Sequence, residues 1–96
     1  MTYKLEFKKS ALKEWSKLGA TLQQQFKKKL AERLSHPHVP SALLSSTDNL
    51  YKIKLRNAGY RLVYKVCDDK VIVTVLAIGK RERSEAYRKA SKRLEH

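Results

Sequence analysis

Cationic residues alternate with apolar residues in one short stretch of the chain, and the stretch that follows can pair with it. Positions 50–56 read Leu-Tyr-Lys-Ile-Lys-Leu-Arg, and positions 59–64 read Gly-Tyr-Arg-Leu-Val-Tyr. Because successive side chains of a β-strand point to opposite faces, these stretches predict a hairpin with one apolar and one cationic face. The cationic face would carry Lys52, Lys54, Arg56 and Arg61.

The register of this hairpin follows from its apolar residues. Setting Lys54 opposite Arg61 also joins the apolar side chains in pairs: Ile53 with Leu62, Leu55 with Tyr60, and Tyr51 with Tyr64. A shift by one residue would set cations against core residues, which a half-buried sheet resists. Like charges that face each other destabilise a sheet, so this hairpin favours a ligand with several negative charges.

The charge of the whole chain favours the same kind of ligand. The 96 residues include 22 Lys plus Arg against 9 Asp plus Glu, for a formal net charge of +13. Such a field attracts polyanions, with nucleic acid as the first candidate partner and an acidic protein as the second. No apolar run approaches membrane-spanning length and no signal segment follows Met1, so we expect a cytoplasmic protein without membrane contact.

The residues alone leave two functions open. The first is a basic surface that binds a nucleic-acid backbone without reacting with it. The second is RNA cleavage, in which the ribose 2′-hydroxyl attacks the adjacent phosphorus and arginines stabilise the charge that develops on the phosphoryl oxygens. Crowding by other cations lowers the pKa of a lysine, so Lys54 opposite Arg61 would be able to accept a proton near neutral pH.

Other chemistries lack the residues they need. The chain has a single cysteine, Cys67, and its histidines lack the spacing of metal ligands, so we expect no metal and no cofactor. No serine or cysteine has a histidine placed to act as its base. The carboxylates read as helix-surface residues rather than as an acid–base pair: Glu14, Glu32, Glu82 and Glu85.

Upstream of the hairpin, the sequence predicts one strand over residues 2–8 and a first helix that Ser10 caps and Gly19 ends. The inner face of this helix would carry Ala11, Leu12, Trp15 and Leu18. Thr21 and Gln24 form a capping-box pattern that predicts a second helix. Its apolar stripe is Leu22, Phe26, Leu30 and Leu34; its outer face carries Lys27, Lys28 and Lys29; and Pro37 ends it.

Downstream, residues 35–49 read as a loop. Residues 71–78 are apolar at both odd and even positions, as expected of a central strand that is covered on both faces. Residues 84–94 predict a short C-terminal helix. The prediction is an α+β fold in one domain, residues 1–96, with the order β-α-α-β-β-β-α. An antiparallel-rich twisted sheet would pack on the two N-terminal helices, and its open side would carry the cationic face.

Several segments together resemble the RelE toxins of bacterial toxin–antitoxin pairs. They are residues 51–56, 59–64 and 79–84 followed by Tyr87, with Ala-Leu-Lys-Glu-Trp at 11–15 in the first helix. The resemblance covers essentially the whole chain. It implies a microbial-RNase-like fold and an endoribonuclease that cuts messenger RNA in the ribosomal A site and leaves a 2′,3′-cyclic phosphate.

The resemblance also assigns roles to residues. The catalytic set would be Lys52, Lys54, Arg61, Arg81 and Tyr87. The two arginines would neutralise the phosphate in the transition state, the tyrosine would stack on or orient a nucleotide, and the two lysines would orient the backbone and move protons. The RNA-binding set would be Arg56, Lys80, Arg83, Lys27, Lys28 and Lys29.

The implied partners are messenger RNA, the ribosome with its rRNA, and an acidic RelB-like antitoxin that covers or displaces the C-terminal helix. Operator DNA would be bound only through the antitoxin complex. Relatives often carry a Lys and an Arg just before the hairpin, where this chain has Leu43-Leu44-Ser45-Ser46, so we expect weaker contact with the ribosome there. A third function is open because gyrase-poisoning relatives share the architecture, although they lack the cationic set.

Overall fold

A mixed four-stranded sheet carries the cationic hairpin at one edge. The computed structural model describes residues 2–44, 49–80 and 85–94, except the side chains at positions 85, 87, 91 and 94. The strands are β1 (Lys4–Phe7), β2 (Leu50–Leu55), β3 (Tyr60–Cys67) and β4 (Ile72–Lys80). They lie in the order β1-β4-β3-β2, with β1 parallel to β4 and the other neighbours antiparallel.

The helices are α1 (Lys9–Ser16), α2 (Ala20–Ser35) and α3 (Glu85–Leu94). A 3₁₀ turn, Pro40–Ala42, lies in the predicted loop. The element order and the central position of β4 confirm the predicted α+β fold. Over the described ranges, no helix has both the length and the apolar character needed to cross a bilayer.

The two N-terminal helices pack on one face of the sheet, as predicted. Ala11 of α1 and Phe26 and Leu30 of α2 are buried there, and Trp15 packs against them with its ring centroid 6.2 Å from that of Phe26. Leu12 is 50% exposed, so its predicted place on the inner face was wrong. The eight-residue helix α1 presents only a narrow stripe to the sheet, and residues four apart fill it.

The predicted helix starts were also wrong. Ser10 lies inside α1, which follows Lys8, and Gly19 precedes the first residue of α2 rather than ending α1. Thr21 lies inside α2, so its capping-box pattern with Gln24 does not form the start of the helix. Neither start has a side-chain cap. The first residues of α2 are exposed, so water can satisfy their N–H groups.

A β-bulge in β4 divides the core between the two faces of the sheet. Val63 pairs with Ala77 and Tyr64 pairs with Val75, which leaves Leu76 without a partner. An extra residue reverses the alternation of the strand, so Leu76 and Ala77 both pack on the second face, with Val63. Residues of β4 at odd and even positions are therefore buried, some on the first face and some on the second.

Helix α3 covers part of the second face. Ala86 and Ala90 are 0% exposed and form a cluster with Leu50, Val63 and Leu76. The expectation that this side of the sheet is open is therefore corrected. The apolar surface that the bulge creates needs a cover, and the small alanine side chains let the helix approach it closely.

The turn between β3 and β4 holds Val71 in a left-handed conformation, with φ 56°, where a branched side chain is strained. Its N–H donates to the Asp68 carbonyl and its own carbonyl accepts from the Lys4 N–H. We expect Val71→Asn to have a free energy of unfolding about 1 kcal/mol higher than Val71→Ala, because asparagine tolerates this conformation. Urea denaturation would measure the difference, and equal stabilities would contradict the strain.

Candidate functional site

The hairpin forms in the predicted register. Lys54 is opposite Arg61, and the predicted apolar pairs are present: Ile53 with Leu62, Leu55 with Tyr60, and Tyr51 with Tyr64. The apolar members belong to the core under α1 and α2. Lys54 is exposed, and Lys52 and Arg61 are partly exposed. The pairing therefore puts these three cations on the second face of the sheet, as the alternation predicted.

A cavity of about 300 Å³ lies at the turn end of the hairpin. Its lining is Lys54, Leu55, Arg56, Gly59, Tyr60 and Arg61. Half of these residues are cations, and none carries a carboxylate or an imidazole. Arg56 follows the last residue of β2 and is exposed. The cavity is therefore suited to an anion, with a volume at the lower end of the range of ligand sites.

A larger groove of about 990 Å³ runs between α2 and the edge strand β2. It shares Lys54, Leu55 and Arg56 with the smaller cavity, so the two lie side by side along β2. Its cations are Lys28, Lys29, Arg33, Lys52, Lys54 and Arg56, and its single carboxylate is Glu32. A path lined this way can follow the backbone of a single-stranded nucleic acid.

The groove yields a prediction about binding. Replacing Lys28 and Lys29 by glutamate should weaken binding of single-stranded RNA and reduce the slope of log K against log salt by about 1.4, because two phosphate contacts are lost. Fluorescence anisotropy over a salt series measures this slope. Lys13→Glu/Lys17→Glu makes the same charge change at exposed positions of α1 and its C-terminus. Equal slopes for the two variants would show that RNA does not bind along the groove.

Other predicted RNA-binding residues lie elsewhere. Lys27 is exposed on α2 but does not line the groove. Lys80 pairs with Tyr60 in the register of β3 and β4. This pairing puts Lys80 on the face that α1 and α2 cover rather than beside Lys54 and Arg61. Leu43, in the predicted loop before the hairpin, bridges to Tyr51. The remaining predicted positions, Arg81, Arg83, Ser45 and Ser46, lie outside the described residues.

Tyr87 has its backbone in the first turn of α3, and its side chain is outside the described part of the structure. Helix α3 packs on Val63, which pairs with Lys52 across the hairpin. Since directly paired residues share a face, α3 lies on the same face as the hairpin cations. The fold therefore brings the backbone that carries Tyr87 to the cationic side of the sheet.

The sequence interpretation missed Arg33, which attaches the hairpin to α2. Its Nη1 donates to the Lys52 carbonyl at 3.1 Å and to the Tyr64 hydroxyl at 3.0 Å. The Tyr64 hydroxyl in turn donates to the Pro37 carbonyl at 2.7 Å. Burial raises the pKa of Tyr64, and the Arg33 hydrogen bond opposes that rise. One feature of the sequence did indicate that Arg33 faces the sheet: it lies between Leu30 and Leu34, on the apolar stripe of α2.

A second polar cluster lies at the opposite end of the hairpin. His38 contacts the Tyr51 hydroxyl through Nδ1 at 2.8 Å and Asp68 Oδ1 through Nε2 at 2.7 Å. The Tyr3 hydroxyl also donates to Asp68 Oδ1, at 2.8 Å. The bond to His38, followed by the bond from Tyr3, holds the pKa of Asp68 below its usual range. These contacts join four segments of the fold, so the cluster has a structural role.

The candidate site can therefore bind and stabilise negative charge. Within the described ranges, no group of three His, Cys, Asp or Glu side chains is placed to hold a metal ion. The charged residues that line the small cavity are all cations, namely Lys54, Arg56 and Arg61. A phosphate that enters it would meet donors that neutralise charge on its oxygens, the effect that phosphoryl chemistry requires.

Comparison with known proteins identifies relatives over nearly the whole chain. Residues 5–85 match the family model described as ParE toxin of type II toxin-antitoxin system, parDE. The chain is 54% identical over 94 residues to mRNA interferase toxin RelE of Escherichia coli strain K12, covering 98% of this chain and 99% of that protein.

Solved structures give the same result. A mutant of the E. coli toxin RelE in the free state matches with a TM-score of 0.90 and 52% identity, over 98% of this chain and 99% of that one. The toxin in the intact E. coli RelBE toxin–antitoxin complex matches with a TM-score of 0.81 and 53% identity, over 84% of this chain and 99% of that one. This chain therefore belongs to the RelE/ParE family of toxins from type II toxin–antitoxin systems.

Proposed function

We propose that this protein is a ribosome-dependent endoribonuclease, an mRNA interferase that cuts messenger RNA in the ribosomal A site and so inhibits translation. The observation that carries the proposal is the pairing of Lys54 with Arg61 beside an anion-suited cavity. The chain in which this pairing occurs is 54% identical to an mRNA interferase toxin over 98% of its length.

The reaction needs charge stabilisation more than a strong base. The ribose 2′-oxygen forms a bond to phosphorus while the bond from phosphorus to the 5′-oxygen breaks, which leaves a 2′,3′-cyclic phosphate and a 5′-hydroxyl. Arg61 and Arg81 neutralise the phosphoryl oxygens, and an arginine with good donor geometry is worth about 3 kcal/mol there. Lys52 and Lys54 orient the backbone and move protons, and Tyr87 stacks on a nucleotide.

The ribosome provides what the site lacks. The residues that line the small cavity include no carboxylate and no imidazole, so the 2′-hydroxyl must arrive already aligned for attack. Holding a substrate in reactive geometry can contribute about 7–11 kcal/mol of the barrier reduction. The groove residues Lys28 and Lys29, with Lys27, Lys80, Arg56 and Arg83, contact messenger RNA and rRNA.

The protein partner is an acidic antitoxin. Solved relatives include an intact RelBE toxin–antitoxin complex and a RelE mutant with a RelB peptide. A chain with a net charge of +13 favours an acidic RelB-like partner on electrostatic grounds. The antitoxin neutralises the toxin in the cytoplasm and carries it to operator DNA, which the toxin does not bind by itself.

A second target comes from the family model, which is named for ParE. Gyrase-poisoning members of this superfamily share the fold, but the cleavage set of Lys52, Lys54, Arg61 and Arg81 argues against that activity here. A DNA supercoiling assay separates the two functions, because a gyrase poison inhibits supercoiling and an mRNA interferase does not.

Primer extension on messenger RNA from programmed ribosomes tests the proposal. We expect new 5′ ends within translated codons for the natural chain, none for Arg61→Ala/Arg81→Ala, and weak cleavage of free RNA. Equal cutting by the double variant would mean that the cations only bind RNA. Absence of cutting by the natural chain would defeat the enzymatic function altogether.

A further inference from the structure

Helices α1 and α3 are joined by an ion cluster of Glu14, Lys89 and Arg93. Lys89 Nζ donates to Glu14 Oε2 at 2.5 Å, and Arg93 Nη1 donates to Glu14 Oε1 at 2.9 Å. The two cations are four residues apart on α3, so both reach the same carboxylate from one side of the helix. The side chains of Glu14, Lys89 and Arg93 are 18, 32 and 22% exposed, so water reaches the cluster only in part.

The same cluster satisfies the backbone of β4. Strand β1 ends before the bulge, so this part of β4 has no strand neighbour on that side. The Ile78 N–H donates to Glu14 Oε1 at 3.2 Å, and Arg93 Nη1 donates to the Leu76 carbonyl at 2.6 Å. Buried backbone groups need hydrogen-bond partners. Glu14 and Arg93 therefore take the place of a strand and fix α3 to the sheet at the bulge.

The cluster is charged at neutral pH. Burial by itself would raise the pKa of Glu14, but hydrogen bonds from Arg93, Lys89 and the Ile78 N–H outweigh burial and lower it from its ordinary value of 4.5. Lys8 adds a further cation, whose Nζ donates to the Arg93 carbonyl at 2.9 Å. With a lowered folded-state pKa, the contribution of Glu14 is complete above pH 4.5 and is lost only as the pH falls below it.

We propose that Glu14 is a positioning residue for catalysis, although it lies on α1. By fixing Lys89 and Arg93, it holds α3 on the cationic face of the sheet, and α3 carries Tyr87 two residues before Lys89. This inference rests on the proposed function, because it assigns Glu14 an effect on cleavage that acts through Tyr87. It also makes a claim about the free protein, namely that loss of Glu14 loosens α3.

Hydrogen exchange of the free protein tests the claim about α3. Glu14→Gln should speed exchange of the α3 amides by about tenfold, because one partner of a largely shielded ion cluster is lost, and should leave the β3 amides unchanged. The matched control is Glu6→Gln, which removes the same charge from an exposed position of β1. Lys89→Gln provides a milder second variant in case Glu14→Gln does not fold. Unchanged α3 exchange in the folded variants would overturn the proposal.

A double-mutant cycle tests the link to Tyr87. Glu14→Gln should lower single-turnover cleavage on programmed ribosomes about tenfold in the natural background and less than twofold in Tyr87→Ala, because residues that act as a unit are not additive. Equal losses in both backgrounds would mean that Glu14 only stabilises the fold. If the natural chain does not cut, the proposed function fails, while the exchange experiment still decides whether Glu14 holds α3.

Discussion

Arg61→Ala is expected to slow RNA cleavage at least about 100-fold, which corresponds to about 3 kcal/mol of lost transition-state stabilisation. Arg61 lines a cavity whose other charged residues are Lys54 and Arg56, so it meets any phosphate held there. The negative charge on the phosphoryl oxygens is greatest in the transition state, and the loss should therefore fall on the rate of the chemical step more than on binding. Single-turnover cleavage of messenger RNA on programmed ribosomes measures this rate.

Two variants isolate the effect of the guanidinium group. Lys65→Ala removes one cation from an exposed position on the same strand and the same face, and it should cleave within about twofold of the natural chain. Arg61→Lys keeps the charge but loses the planar pair of donors, so its rate should lie between those of Arg61→Ala and the natural chain. Arg61→Ala cleaving as fast as Lys65→Ala would show that Arg61 is a solvated surface cation.

The hairpin was predictable because its alternation allows only one parity of pairing. Burial of Ile53 and Leu55 requires apolar residues opposite them, and the register that pairs them with Leu62 and Tyr60 also sets Lys54 against Arg61. The stripe of Phe26 and Leu30 predicted α2 for the same reason, since burial of one face decides the rotation of the helix. Apolar patterning therefore fixed the elements and most of their orientation.

The bulge at Leu76 could not be predicted, because an extra residue in an all-apolar strand leaves no mark in the pattern. Two structural consequences of the bulge were therefore not predicted either. The bulge reverses the alternation of side chains at the end of β4, which puts Lys80 on the face that α1 and α2 cover. It also creates the apolar surface on the other face, which Ala86 and Ala90 of α3 cover. A one-residue irregularity thus decided where a predicted RNA-binding residue lies.

Glu14 and Arg33 were missed for a different reason. On a helical wheel each reads as a polar residue at the border of an apolar stripe, where solvated side chains are common. The partners of Glu14 on α3 are 75 and 79 residues away in sequence, and no local pattern connects them. Arg81 and Tyr87 entered the candidate site through family resemblance, which can assign a role where spacing cannot.

Tyr64→Ala is expected to lower the free energy of unfolding by about 3–5 kcal/mol, and Tyr64→Phe by about 1–3 kcal/mol. Tyr64 is 0% exposed, and its ring stacks on Tyr51 with centroids 5.5 Å apart. Alanine would leave a cavity beneath the hairpin. Phenylalanine would fill the space but would leave the Pro37 carbonyl and Arg33 without the hydroxyl that now joins them. Urea denaturation followed by circular dichroism measures both variants.

Tyr3→Phe is the matched control, because it also removes one tyrosine hydroxyl, but from a bond to Asp68, whose side chain is 56% exposed. Water can replace that bond, so the change should stay within about 0.5 kcal/mol. A double-mutant cycle of Tyr64→Phe with Arg33→Met should show a coupling free energy of at least about 0.5 kcal/mol. If the two losses of stability simply add, the two side chains do not share a hydrogen bond that contributes to stability.

The two faces of the hairpin should then respond independently. Tyr64→Phe weakens the face that packs on α2, so it should lower stability while the folded protein still cleaves RNA at nearly the natural rate. Arg61→Ala removes a guanidinium group from the cationic face, so it should slow cleavage at least about 100-fold in a protein that still folds. A variant that loses both properties in proportion would mean that the cationic face also contributes to the stability of the fold.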